Sequence, residues 1–170
     1  MSPDVPTARS DCDGPEPFRV DGGRVPGDSI DYNGHMVDAS YAIAFSKATT
    51  AFLEWLGIGS DYVRQDGGTV YTAQMHLSFL REVREGERLA FTSVLLGVDD
   101  KRLHVLHTML VGGDDERPSA TCELLFVHAD HATHRVVPFP SRVRSHLARI
   151  AAAHAPIPRP PQAGRGIGLR

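Results

Sequence analysis

Asp31-Tyr32-Asn33-Gly34-His35-Met36, followed from Asp38 by an apolar pattern that runs to Gly57, is the stretch around which the rest of the chain is organised. After Asp38 the apolar residues fall at Tyr41, Phe45, Ala48, Phe52, Trp55 and Leu56, with Ala44 and Ala51 filling the gaps. That is a 3.6-residue period, and it predicts one long helix with Asp38 as its N-cap and Gly57 as its stop. Lys47, Thr49, Thr50 and Glu54 fall on the face turned away from the core. Aromatic rings at Tyr41, Phe45, Phe52 and Trp55 predict a helix buried along much of its length. Ahead of it, Asp31, Asn33 and His35 place groups that accept, donate or position a proton at every second residue, and Gly34 lets the backbone turn sharply between them.

Outward from this centre the pattern changes to strands. Phe18 to Val20 reads as a short strand, and Gly22-Gly23 and Val25-Pro26-Gly27 as turns. Beyond the helix, Asp61 to Gln65 forms a short turn ended by Gly67-Gly68. Tyr71, Ala73, Met75, Leu77 and Phe79 then alternate with polar residues at a period of two. Leu89 to Val98 and Leu103 to Val111 flank the polar hairpin Asp99-Asp100-Lys101, and Ala120 to Val127 is the last long strand. His134 to Val137 extends the sheet after a bend, and Ser141 caps a brief helix ending at Ile150. One strand, one long helix and four antiparallel strands define an α+β fold, an antiparallel sheet wrapped around a central helix. The expected organisation is a flexible arm over residues 1–15, a single domain over 16–152 and a disordered tail over 153–170. A sheet of this kind leaves edges that a second copy closes, so a homodimer or higher homo-oligomer is expected.

A chain of 170 residues with 41% hydrophobic content supports one core of ordinary size. The formal net charge of −3 argues against a nucleic-acid binder. No apolar stretch approaches the roughly 18 residues that span a bilayer, and the first 30 residues lack the apolar centre of a signal peptide. Two cysteines, Cys12 and Cys122, make no disulfide framework, which suits a reducing compartment and a cytoplasmic protein without membrane partners.

Asp31-x-x-Gly34-His35, with Tyr41 seven residues after the glycine inside the helix, resembles the signature of hotdog-fold acyl-CoA thioesterases of the 4-hydroxybenzoyl-CoA type. The resemblance implies a hotdog fold and makes Asp31 the catalytic carboxylate. In the branch that hydrolyses acyl-carrier-protein thioesters, an Asp-x-Asn-x-His run is catalytic, which corresponds to Asp31, Asn33 and His35. The family often continues Gly-His-x-Asn, whereas the fourth place here is Val37. Over about residues 28–137 the chain is most similar to the thioesterases of carnitine and betaine metabolism. The likeness lies in the runs Asp31 to Met36, Thr72 to Leu80 with His76, and Lys101-Arg102-Leu103-His104. It implies a small acyl group such as betainyl, whose quaternary ammonium would seek aromatic faces among Tyr32, Trp55, Tyr62 and Tyr71. Tyr41 and His76 complete the substrate-binding candidates.

The chemistry expected of these groups is thioester hydrolysis. Amide N–H groups of Val37, Asp38 and Ala39, at the positive end of the helix, would polarise the carbonyl. Asp31 would serve as general base for a water or attack directly, His35 as a second acid or base, and Asn33 as an orienter. Tyr41, one turn into the helix, is expected in the core with its hydroxyl paired. The phosphates of coenzyme A would meet Arg81, Arg84, Lys101 and Arg102 at two strand ends. His104 and His107, or His128, His131 and His134, lack the cysteine or carboxylate spacing of a metal site, so neither metal nor cofactor is expected beyond the coenzyme A of the substrate. A Gly-x-Ser-x-Gly elbow and a Walker loop are both absent from the sequence. Two other readings stay open: a hotdog hydratase, whose Asp-to-His spacing is normally one residue longer than Asp31 to His35, and a non-catalytic hotdog that binds a thioester or a partner protein, for which Val37 is the sign.

Overall fold

The computed structural model describes residues 15–113 and 115–168, so most of the expected arm lies outside the described residues. The long helix α1 spans Asp38–Trp55, about 27 Å of axis at 1.5 Å per residue. Strand β1 (Phe18–Arg24) precedes it. A short helix α2 (Ser60–Asp66) follows, then β2 (Gly68–Phe79), β3 (Arg88–Val98), β4 (Arg102–Val111), β5 (Arg117–Asp130) and a last helix α3 (Ser141–His154). The strands form one sheet in the order β1-β3-β4-β5-β2, antiparallel throughout. This is the architecture expected from the sequence.

The core lies between α1 and one face of the sheet. Phe45 and Phe52 are fully buried on α1, against Phe91, Leu95, Leu103, Met109, Leu124 and Phe126 of the sheet. The Phe45 ring meets Phe91 edge-on at 5.5 Å, and Phe52 packs on Phe18 at 5.6 Å and on Trp55 at 5.5 Å. Gly22 lets β1 close on this layer, because a Cβ there would fall 2.4 Å from the Phe91 ring.

Several boundaries differ from the sequence reading. The N-cap of α1 is Val37, and Asp38 is the first helical residue, its carboxylate accepting the Ala39 N–H at 2.8 Å. Ser141 is likewise inside α3, not its cap, and the alanine run Ala151 to Ala153 carries that helix on to His154, whose Nδ1 accepts the Leu95 N–H at 3.0 Å. His134 to Val137 forms a single bridge, Ala129 to Val136, and no strand. A register shift between Thr72 and Gln74 breaks the alternation of β2. The extra residue turns Tyr71, opposite Val127, to the outer face, while Met75, Leu77 and Phe79, opposite Leu124, Cys122 and Ala120, face the helix. Beyond α3 the chain continues over the outer face, and the Gly164 N–H donates to the Glu123 carboxylate at 2.8 Å.

Thr49, expected on the solvent side, instead faces inward. Its hydroxyl lies 3.0 Å from His107 Nε2, and the Ser93 hydroxyl lies 2.7 Å from Nδ1 of the same ring. His107 is fully buried between the rings of Phe45 and Phe52, and burial pushes its pKa down to about 3. The unfolded chain protonates this imidazole near 6.5, so between that pH and about 3 the unfolded state binds more protons than the folded one. The contribution of His107 is complete above about pH 6.5 and declines on acidification, on the order of 1 kcal/mol per pH unit. Chemical denaturation from pH 7 to 4.5 should show this slope, and His107→Leu should flatten it. An unchanged slope in that variant would assign the acid sensitivity to other groups.

Candidate active site

Residues 30 to 36 form a small hairpin at the entrance of α1. Ile30 bridges Met36, the Asp31 N–H donates to the His35 carbonyl at 2.9 Å, and the Gly34 N–H closes the turn on the Asp31 carbonyl at 3.0 Å. Gly34 sits at φ +79, a conformation that costs a side-chain-bearing residue about 1–2 kcal/mol. The hairpin is tied down on both sides, Met36 N–H to Val83 O at 2.7 Å and Val37 N–H to Ser29 O at 2.9 Å. Asp31 and His35 are therefore held beside the first turn of α1 by main-chain bonds.

Within the turn, Asp31 Oδ1 accepts the Asn33 N–H at 2.8 Å and the His35 N–H at 3.3 Å, and Oδ2 accepts the Asn33 side-chain amide at 3.2 Å. Partial desolvation pushes the Asp31 pKa up, but the hydrogen bonds from His35 and Asn33, with the nearby imidazole, together outweigh it and hold the carboxyl below its ordinary value. A carboxylate so stabilised is ionised at neutral pH and a weak proton acceptor. His35 Nε2 lies 3.0 Å from Glu82 Oε2, and Glu82 in turn takes a 2.8 Å hydrogen bond from Arg84. Glu82 is the site residue that sequence reading missed. Its one signal in the sequence is its place two residues before Arg84, in a segment whose arginines draw the eye first.

Of the expected carbonyl-polarising amides, Val37 is unavailable because its N–H is bonded to Ser29. The Ala39 N–H is occupied by the Asp38 carboxylate, which leaves the Asp38 N–H with no hydrogen bond among the described residues. Tyr41 is buried, its hydroxyl 3.5 Å from the Arg81 carbonyl and its ring edge-on to Phe79 at 5.1 Å. Tyr32, at the tip of the turn, is 96% exposed.

Most of the other sequence candidates lie away from this site. Tyr62 is core, donating its hydroxyl proton to His128 Nε2 at 2.9 Å, since His128 Nδ1 faces the Val137 carbonyl at 2.8 Å. Trp55 stacks on Phe52 and His154. Tyr71 lies on the outer face, its hydroxyl 2.9 Å from His134 Nδ1. His76 is also on the outer face, opposite Glu123, which pairs with His104 at 2.6 Å, in a cleft of about 820 Å³ that the Gly164 to Ile167 segment borders. Arg81 adjoins the turn, its N–H on the Ser119 carbonyl at 3.1 Å, while Arg102 pairs with Val127. Those two points on β5 are eight residues apart, roughly 26 Å at about 3.3 Å per residue. Arg84 and Arg102 are engaged in ion pairs with Glu82 and Asp99, whereas Arg81 and Lys101 form none among the described residues.

A curled antiparallel sheet over one long helix, with a carboxylate and an imidazole at the helix entrance, defines a hotdog-fold protein with the parts of a hydrolase. The chain belongs to the thioesterase-like superfamily, whose family model matches residues 25–147. It is 38% identical over 140 residues to a betainyl-CoA thioesterase of Pseudomonas aeruginosa, covering 82% of this chain and 87% of that protein. It is 35% identical to an L-carnitine dehydrogenase/betainyl-CoA thioesterase of Rhizobium sp., covering 91% of this chain but 31% of that longer protein. A Staphylococcus aureus protein solved in complex with CoA shares the fold, with a TM-score of 0.81 over the whole of both chains at 24% identity. The chain is thus a thioester hydrolase of the acyl-CoA thioesterase kind.

Proposed function

We propose that the protein hydrolyses the CoA thioester of a small acyl group bearing a quaternary ammonium, such as betainyl-CoA, and that it works as a homodimer. The observation that carries this reading is the tethered turn that sets ionised Asp31 and the His35 ring beside the unbonded Asp38 N–H. His35 takes the proton of a water, which attacks the acyl carbon. The carbonyl oxygen gains its negative charge against the Asp38 N–H, and collapse expels the CoA thiolate, which receives the proton from the imidazolium. Asp31 balances the charge on His35 and shapes the turn, and Asn33 orients Asp31 through its amide. No cofactor is needed beyond the coenzyme A of the substrate. Of the aromatic candidates Tyr32 alone projects from the turn itself, which makes it the face for the ammonium group. The sparse cysteines suit work in the cytoplasm.

Support for the dimer comes from β2. It is an edge strand of 12 residues with neither proline nor lysine, and Met75 and Phe79 are 44% and 53% exposed. A long apolar edge of that kind needs covering. Antiparallel pairing of two β2 strands would bring the Lys101 and Arg102 hairpin of one copy toward Arg81 and Asp31 of the other. Both basic groups could then serve one coenzyme A, which a single copy cannot arrange across roughly 26 Å.

Thiol release from betainyl-, acetyl-, benzoyl- and an enoyl-CoA tests the substrate. The betainyl compound should exceed the others by about tenfold in kcat/KM, the worth of one partly desolvated cation–aromatic contact, and Tyr32→Ala should remove the difference. Equal rates on all thioesters would discard the ammonium preference, and water addition to the enoyl compound without thiol release would identify a hydratase.

A further inference from the structure

Between β2 and β3 the chain is pinned at two points. Leu80 and Arg81 both donate their N–H groups to the Ser119 carbonyl, at 3.0 and 3.1 Å, and fully buried Val83 accepts the Met36 N–H. Glu82, between them, is thereby aimed at the 31–35 turn. We infer that Glu82 is a positioning residue for the hydrolysis: it holds the His35 ring with its Nε2 proton toward the carboxylate and its Nδ1 lone pair toward the water. This rests on the role of His35 proposed above.

The chemistry follows from what a carboxylate can do. Glu82 accepts a hydrogen bond from Arg84, and that bond, with the charge of His35, holds its carboxyl below the ordinary value. An ionised carboxylate only accepts, so the neutral imidazole 3.0 Å away places its proton on the facing Nε2. Nδ1, which takes no hydrogen bond from the described residues, becomes the basic nitrogen. When it gains a proton, Glu82 on one side and Asp31 on the other face the imidazolium. Arg84 works against them, and is itself held by Glu87, which accepts the Arg84 main-chain N–H at 2.8 Å. Arg81, next to Glu82 in the chain, is a further charged group on the same segment.

The test is Glu82→Gln, which keeps the shape and removes the charge. The expected result is a fall in kcat of about 10- to 100-fold, part of the 10²–10⁴ that a general base supplies, with KM within twofold. The acidic limb of the kcat/KM profile should move to lower pH, because one negative charge no longer supports the imidazolium. Glu82→Asp should recover part of kcat and return the limb toward its original position. Thermal stability should stay unchanged, since exposed ion pairs of this kind contribute little. An unmoved limb with kcat near that of the unaltered protein would overturn the inference. Loss of kcat with an unmoved limb in both variants would make Glu82 merely structural, which also overturns it. Asp31→Asn run alongside separates the two levels: full activity there would remove the proposed reaction at this turn, whatever Glu82 does.

Discussion

Asp31→Asn should lower kcat for thiol release by about 10²–10⁴-fold, reaching at its upper end the loss that follows when the carboxylate supporting a catalytic imidazole is neutralised. The substitution is close to neutral for the backbone, because the asparagine oxygen can still accept the Asn33 and His35 N–H groups that Asp31 Oδ1 accepts now. What disappears is a charge that is permanent at neutral pH and faces the His35 ring. The loss should therefore appear in kcat, with circular dichroism and melting temperature nearly unchanged. Near-normal turnover of several acyl-CoAs would reduce Asp31 to an ordinary turn residue bonding its own backbone.

Phe52→Ala should destabilise the protein by about 3–5 kcal/mol. Phe52 is fully buried where α1 crosses the sheet, touching Phe18 of β1, Trp55 of its own helix and the edge of His107. The cavity cannot collapse easily, because those neighbours are held by the sheet register and by the Ser93 and Thr49 hydroxyls on His107. For a domain of this size the melting temperature should fall by about 10 °C or more. Lys47→Ala, at an exposed position on the same helix, is the control and should stay within about 0.5 kcal/mol. Equal melting points for the two variants would mean that α1 is not the centre of the core.

Much of this architecture is legible in the sequence. The helical period from Tyr41 to Leu56 identified the buried face, and the strand runs with their turn residues gave the sheet, because burial against a helix imposes those periods directly. Several departures share a cause: each depends on a partner that the local pattern does not show. Thr49 is polar and falls on the outward face of the helical period, yet its hydroxyl is satisfied by a histidine 58 residues away. Tyr71 continues the alternation of Met75 to Phe79 in sequence, but the bulge beside Ala73 reverses its face. Val37 reads as a free amide at the helix start, but the Ser29 carbonyl accepts its N–H. Glu82 carried no motif at all, since its relation to His35 exists only because Val83 and Met36 are tied together. The arginine and lysine candidates for coenzyme A fall at two strand ends already in the sequence, and the register on β5 sets those ends roughly 26 Å apart.

The claim on which everything functional depends is that Asp31 and His35 act as one unit at the mouth of α1. A double-mutant cycle on thiol release measures this directly, comparing the unaltered protein, Asp31→Asn, His35→Gln and the double variant on one acyl-CoA. Groups that serve a single step lose most of their effect together, so the double variant should fall no more than a few-fold below the worse of the two single variants. Losses that multiply, or a His35→Gln variant with undiminished kcat, would contradict the account.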